Sequence, residues 1–186
     1  MSELGERLES WRSGRACLLG LGNPDQGDDG LGLRLSQVLA ARLGGGASGE
    51  GDPLVIEAGL APERHLGKIL EQGFEHVVFL DAVDFGGAPG EVMLADAAEM
   101  EACLPPISTH RISLGLLAKC IEDRGARAWL VGVQPKSLAP GPGLSAPVRR
   151  RSTSSPRSSS ACGGRGRNLW NGRARPPDGT PDRARG

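Results

Sequence analysis

No stretch of this 186-residue chain approaches the roughly 18 apolar residues that a membrane-crossing helix requires. Its opening, MSELGERLESWRSGR, lacks the apolar centre of a secretory signal, so neither a membrane partner nor export is expected. The four cysteines, Cys17, Cys103, Cys120 and Cys162, show no C-x-x-C spacing, which removes the usual zinc and dithiol motifs. Cys17 sits in a strand-like apolar run and Cys120 in a helix-like one. Both are read as reduced, buried thiols of a cytoplasmic protein. No G-x-S-x-G elbow offers an activated serine.

Net charge is also absent, but only as an average. From Ser145 onward there are ten Arg, no Lys and two Asp, a net of +8. The first 144 residues therefore hold 12 basic and 20 acidic residues, a net of −8. Such a split marks two regions of different character. We read 1–15 as an N-terminal arm, 16–144 as one folded core, and 145–186 as a basic tail. The tail is Arg, Ser, Gly and Pro with hardly any apolar residue, a composition that cannot bury enough surface to offset chain entropy. It carries one aromatic, Trp170, and no RNA-binding motif, so nucleic acid is not an expected partner.

What is present between 16 and 144 is an alternation. Apolar runs predict strands over 16–21, 54–58, 76–80 and 128–133. Helical spacing appears over 30–43 (Leu31, Leu35, Val38, Leu39, Leu43), over 62–72 with Pro62 in the first turn, and over 110–122 (Ile112, Leu116, Leu117, Ile121). Strands alternating with helices predict an α/β domain with a mostly parallel central sheet flanked by helices. Glu91 to Leu94 predicts a further short strand. The turn GGAPG before it is too tight for a helical crossover, so this strand should pair antiparallel.

Three segments carry candidate chemistry. The first is the glycine-rich turn GLGNPDQGDDGLG, from Gly20 to Gly32. Its spacing is not G-x-G-x-x-G, and Asp28 and Asp29 occupy the helix start, where they would repel a phosphate. Adjacent carboxylates suit a cation, or one of them serves as an N-cap. The second is FLDAVDFGG, in which Asp81 closes an apolar strand at the edge where open α/β sheets bind ligands, unless it only caps the next turn. Asp84 follows one short turn later. The third is STHRISL, with His110 at a helix start capped by Thr109 or Ser108. His65 and His76 read as surface or packing residues. Two carboxylates and an imidazole at one sheet edge make a mixed O/N donor set suited to nickel or zinc.

The blocks GNPDQGDDGLG, EAGLAPE, FLDAVDFGGAPGEV, STHRISL and LVGVQP, in this order, resemble the nickel–iron hydrogenase maturation endopeptidases. The resemblance spans about residues 16 to 144. It implies a compact α/β fold and removal of a C-terminal extension from a hydrogenase large-subunit precursor. It also implies that nickel already loaded in that precursor is the recognition signal. By position it implies that Asp29, Asp81 and His110 are the metal-sensing and catalytic residues of an aspartic-type peptidase. It implies no organic cofactor, and we expect a monomer. A nickel-dependent checkpoint that binds the precursor without cutting it would use the same residues. Members of the family end in an amphipathic helix, and here the basic tail stands in its place. With codons ending in G or C, the bases for RSTSSPRSS (151–159) read two positions later give Val-Asp-Glu-Leu-Ala-Glu-Glu-Leu. That peptide is apolar at i, i+3, i+4 and i+7, which predicts a frame-shifted gene segment.

Overall fold

A computed structural model describes the backbone of residues 11, 14–42, 53–103 and 109–153, and the side chains among them except 101–103, 109–113 and 151–153. Strand β1 (Ala16–Leu21) leads through a 3-10 turn (Gly27–Gly30) into helix α1 (Leu31–Arg42). Then come β2 (Leu54–Gly59), a second 3-10 turn (Pro62–His65) running into α2 (Leu66–Gln72), and β3 (His76–Ala82). The remaining elements are β4 (Val92–Asp96), α3 (Ala97–Cys103), α4 (Thr109–Glu122), β5 (Arg127–Val133) and α5 (Ala146–Thr153). Among the described residues no helix is long and apolar enough to cross a membrane.

The five strands form one sheet in the order β2-β1-β3-β5-β4. All neighbours pair parallel except β4, which runs antiparallel to β5 as its tight entry turn requires. The central strands are buried on both faces, so their apolar runs are continuous. Alternate residues serve opposite cores. Cys17, Leu19, Val77, Phe79 and Leu130 pack with α2, α3 and α4 through Ile69, Met100, Leu117 and Ile121. Leu18, Val78, Leu80 and Trp129 face the other way, toward Leu35 and Leu39 of α1. Chain order therefore reverses between β1 and β3. The crossover from β1 goes outward to β2 by way of α1 on one face, and the return to β3 uses α2 on the other.

Small residues let α1 approach the sheet closely. A Cβ on Gly32 would collide with the carbonyls of Leu80 and Leu21, and one on Gly20 would collide with Ser36 and the Gly32 carbonyl. The glycine-rich turn thus serves backbone packing of helix on strand.

Several expectations need correction. Trp11 belongs to the core, 4% exposed with its ring centroid 6.4 Å from that of Trp129, so the arm is anchored there. Leu116 is 61% exposed, because α4 seats Leu114, Leu117, Ala118 and Ile121 on the sheet and Leu116 falls off that stripe. Cys120 lies on the exposed side of the same helix, whereas Cys17 is buried as expected. Helix α3 was not anticipated. Its signal was a capping box: Glu99 N donates to Asp96 Oδ1 at 2.9 Å and Asp96 N to Glu99 Oε2 at 3.0 Å. The boundary at residue 144 is too early. Ser145 is tightly bonded, and α5 follows with Val148 fully buried against Leu31, Ala82 and Val133. The tail beyond 153, the loop 43–52, Ser108 and the side chains of Ile112, Cys103 and Cys162 lie outside the described residues.

Candidate active site at the carboxyl edge of the sheet

The ends of β1 and β3 flank the point where strand order reverses, the place where open α/β sheets form a crevice. Asp29 lies in the 3-10 turn after β1, and that turn packs against β3. Asp81 is the penultimate residue of β3, paired with Gly132 of β5. The fold thus brings these two predicted residues to neighbouring strand ends on one edge. His110 is the second residue of α4. The short turn from α4 into β5 returns the chain to the amino edge, so α4 begins toward the carboxyl edge. The His110 side chain lies outside the described residues. Among those described, no three His, Cys, Asp or Glu side chains group to hold a metal.

Each carboxylate is oriented by backbone. Asn23 N donates to Asp29 Oδ2 at 2.7 Å, and Ala82 N donates to Asp81 Oδ1 at 2.8 Å. Asp29 therefore reaches back over the turn instead of capping α1. Gly22 makes this geometry possible. Its φ is +104°, and a Cβ there would collide with the Asp29 carbonyl. Gly22 N also donates to Gly59 O at 3.1 Å, where the β1–β2 register is irregular, tying the end of β2 to the same loop.

Asp28 is neither a cap nor a member of this edge pair. It is 1% exposed and points into the segment after β5. Burial by itself raises its pKa. The hydrogen bonds from Ser145 N, Lys136 N, Ser145 Oγ and Ser137 N outweigh burial, so the carboxyl titrates below the ordinary aspartate range. Gln134, also buried, was missed as well. Its Oε1 accepts from Phe85 N at 2.9 Å and Gly87 N at 3.0 Å, and its Nε2 donates to Asp84 Oδ1 at 2.9 Å. It holds the loop after Asp81, and Asp84 belongs to that brace. His76 packs, accepting from Trp129 Nε1 at 3.4 Å, and His65 is partly buried at the start of α2.

A hydrogenase maturation protease family model matches residues 39–155. The chain belongs to the hydrogenase maturation protease family. The match takes in Asp81, His110 and α5, while Asp29 precedes it. The hydrogenase 3 maturation protease of Escherichia coli strain K12 is 31% identical over 118 residues, covering 63% of this chain and 71% of that protein. A crystal structure of a NiFe hydrogenase maturation protease from Thermococcus kodakarensis KOD1 superposes with a TM-score of 0.63 at 32% identity, covering 78% of this chain and 91% of its own. The hydrogenase maturating endopeptidase HybD of Escherichia coli gives a TM-score of 0.63 at 27% identity, covering 74% and 85%. Protease chemistry in this family is thus laid on an α/β sheet, and the family's match extends past residue 144 into α5, as the packing of Val148 requires.

Proposed function

We propose that this chain is an endopeptidase that removes the C-terminal extension of a hydrogenase large-subunit precursor. On this reading the nickel carried by the substrate is the recognition signal, and the enzyme works as a cytoplasmic monomer of aspartic type. The observation that carries it is the placement of Asp29 and Asp81 on either side of the switch point, each held by a backbone N–H. With His110 at the start of α4, they supply hard oxygen and borderline nitrogen donors. That set suits completing the coordination of a divalent first-row ion already held by the precursor. Capturing the substrate's metal there fixes the scissile bond beside two carboxylates, turning recognition into orientation. A carboxylate or a water polarised at the metal then serves the attack, so no serine or cysteine nucleophile is called for.

The test is substitution. Asp81→Asn and Asp29→Asn keep shape and remove charge, and each should abolish shortening of a nickel-loaded precursor while the variant melts cooperatively. Undiminished processing by either variant removes that residue from the site. A precursor that co-elutes with the wild-type chain yet keeps its full mass would instead make the protein a checkpoint that binds without cutting.

A further inference from the structure

The carboxylate of Asp28 has no task in the mechanism, yet it is buried and accepts four hydrogen bonds. Its Oδ2 accepts from Lys136 N at 2.8 Å, Ser137 N at 3.2 Å and Ser145 Oγ at 2.9 Å, and its Oδ1 accepts from Ser145 N at 2.6 Å. All four donors lie on one segment, 136–145, more than a hundred residues further along. That segment crosses the glycine-rich loop as a strap. Gly27 N donates to Gly141 O at 3.1 Å, Asp28 N to Ser137 O at 3.2 Å, and Gly141 N to Asp25 O at 3.2 Å. The sequence SLAPGPGLS has little else to fix it, since Leu138 is 38% exposed and only Leu144 joins a core cluster. Among the described residues Asp28 is the one buried ionisable carboxylate, and the next residue is Asp29.

We infer that Asp28 is a positioning residue: by gathering both ends of the strap onto the glycine-rich loop, it fixes where Asp29 presents its carboxylate at the sheet edge. The inference rests on the proposed role of Asp29 toward the substrate's nickel. Buried acceptors with several charge-assisted bonds resist rotation, and the peptide unit between Asp28 and Asp29 is rigid, so a shift of one is passed to the other. The strap also runs on into α5, so the docking of that helix bears on the same loop.

Two variants test this on the full chain. Asp28→Asn keeps the shape but removes the charge and sets an amide against the strap's donors. Ser145→Ala removes only the hydroxyl bond and is the safer fold. Amide exchange on the protein alone should speed at 136, 137 and 145 in both. With nickel-loaded precursor, kcat per folded molecule should fall roughly tenfold or more for Asp28→Asn and a few-fold for Ser145→Ala, with KM within about twofold. The double variant should resemble Asp28→Asn alone, because both changes break one network. Faster exchange with kcat unchanged would make the latch merely structural and overturn the inference, as would unchanged exchange in both variants. A wild-type chain that leaves the precursor uncut defeats the endopeptidase reading first, and with it any role for Asp28 in catalysis.

Discussion

The edge position of Asp81 was legible because it closes an apolar run, and that of Asp29 because its glycine-rich turn follows one; in a parallel sheet the ends of such runs share an edge. Asp28 was not, because its four donors lie more than a hundred residues away, and nothing local distinguishes it from its neighbour. Gly22 is a residue whose role only backbone geometry shows. Gly22→Ala should destabilise the protein by about 1–3 kcal/mol from left-handed strain alone, with the collision at Asp29 adding to it. Urea unfolding would show it, and a variant within about 0.5 kcal/mol of wild type would contradict the tight turn. Cys17 gives a pH prediction. Burial raises its thiol pKa to about 12, partly offset by Lys68. The folded value lies above the unfolded one. The neutral thiol's contribution is therefore fully present below about pH 8.5 and is lost as pH rises toward 12. At pH 8, a thiol reagent followed by peptide mapping should mark Cys120 on the native protein and Cys17 only after unfolding. Equal labelling of both would refute the burial.

At the scale of elements, the sequence pattern found the five described strands and two of the helices, α1 and α4, to within a residue or two, and α2 together with the 3-10 turn that leads into it, because burial on both faces writes itself into apolar runs. It failed where a helix is short and held by its ends. Helix α3 depends on the reciprocal bonds of Asp96 and Glu99, and Asp96→Ala should cost roughly 0.5–2 kcal/mol as a lost N-cap. Helix α5 was hidden for another reason. Its sequence, APVRRRST, has a single apolar anchor, Val148, and only the pocket of Leu31, Ala82 and Val133 shows that one anchor suffices. Val148→Ala should destabilise by roughly 1–3 kcal/mol and loosen the strap preceding it. Amide exchange that stays slow at Ser145 in this variant would separate α5 from the strap.

At the scale of the whole molecule, the α/β class followed from alternation, but the strand order β2-β1-β3-β5-β4 did not, since pairing partners leave no trace in one sequence. That order sets Asp29 and Asp81 across the switch point. The basic tail belongs to this scale too. Leu35, Leu39 and Val55, on the face that α5 begins to cover, are only partly buried, and the family match stops at residue 155. We read this as the place where an amphipathic continuation of α5 would lie. Replacing the residues after Arg150 with Val-Asp-Glu-Leu-Ala-Glu-Glu-Leu should raise the melting temperature by several degrees or more, since three apolar side chains at about 1.5–3 kcal/mol each would then be buried. An unchanged melt would show that the core does without that helix.

We propose that Asp29 and Asp81 at the sheet edge, with His110, read the nickel in a hydrogenase precursor and direct its cleavage. Intact-mass spectrometry of one large-subunit precursor, incubated with this chain with and without nickel loaded, tests it most directly. A single C-terminal shortening with nickel and an unchanged mass without it are the expected results. Shortening that ignores nickel, or no shortening in either sample, would contradict the proposal.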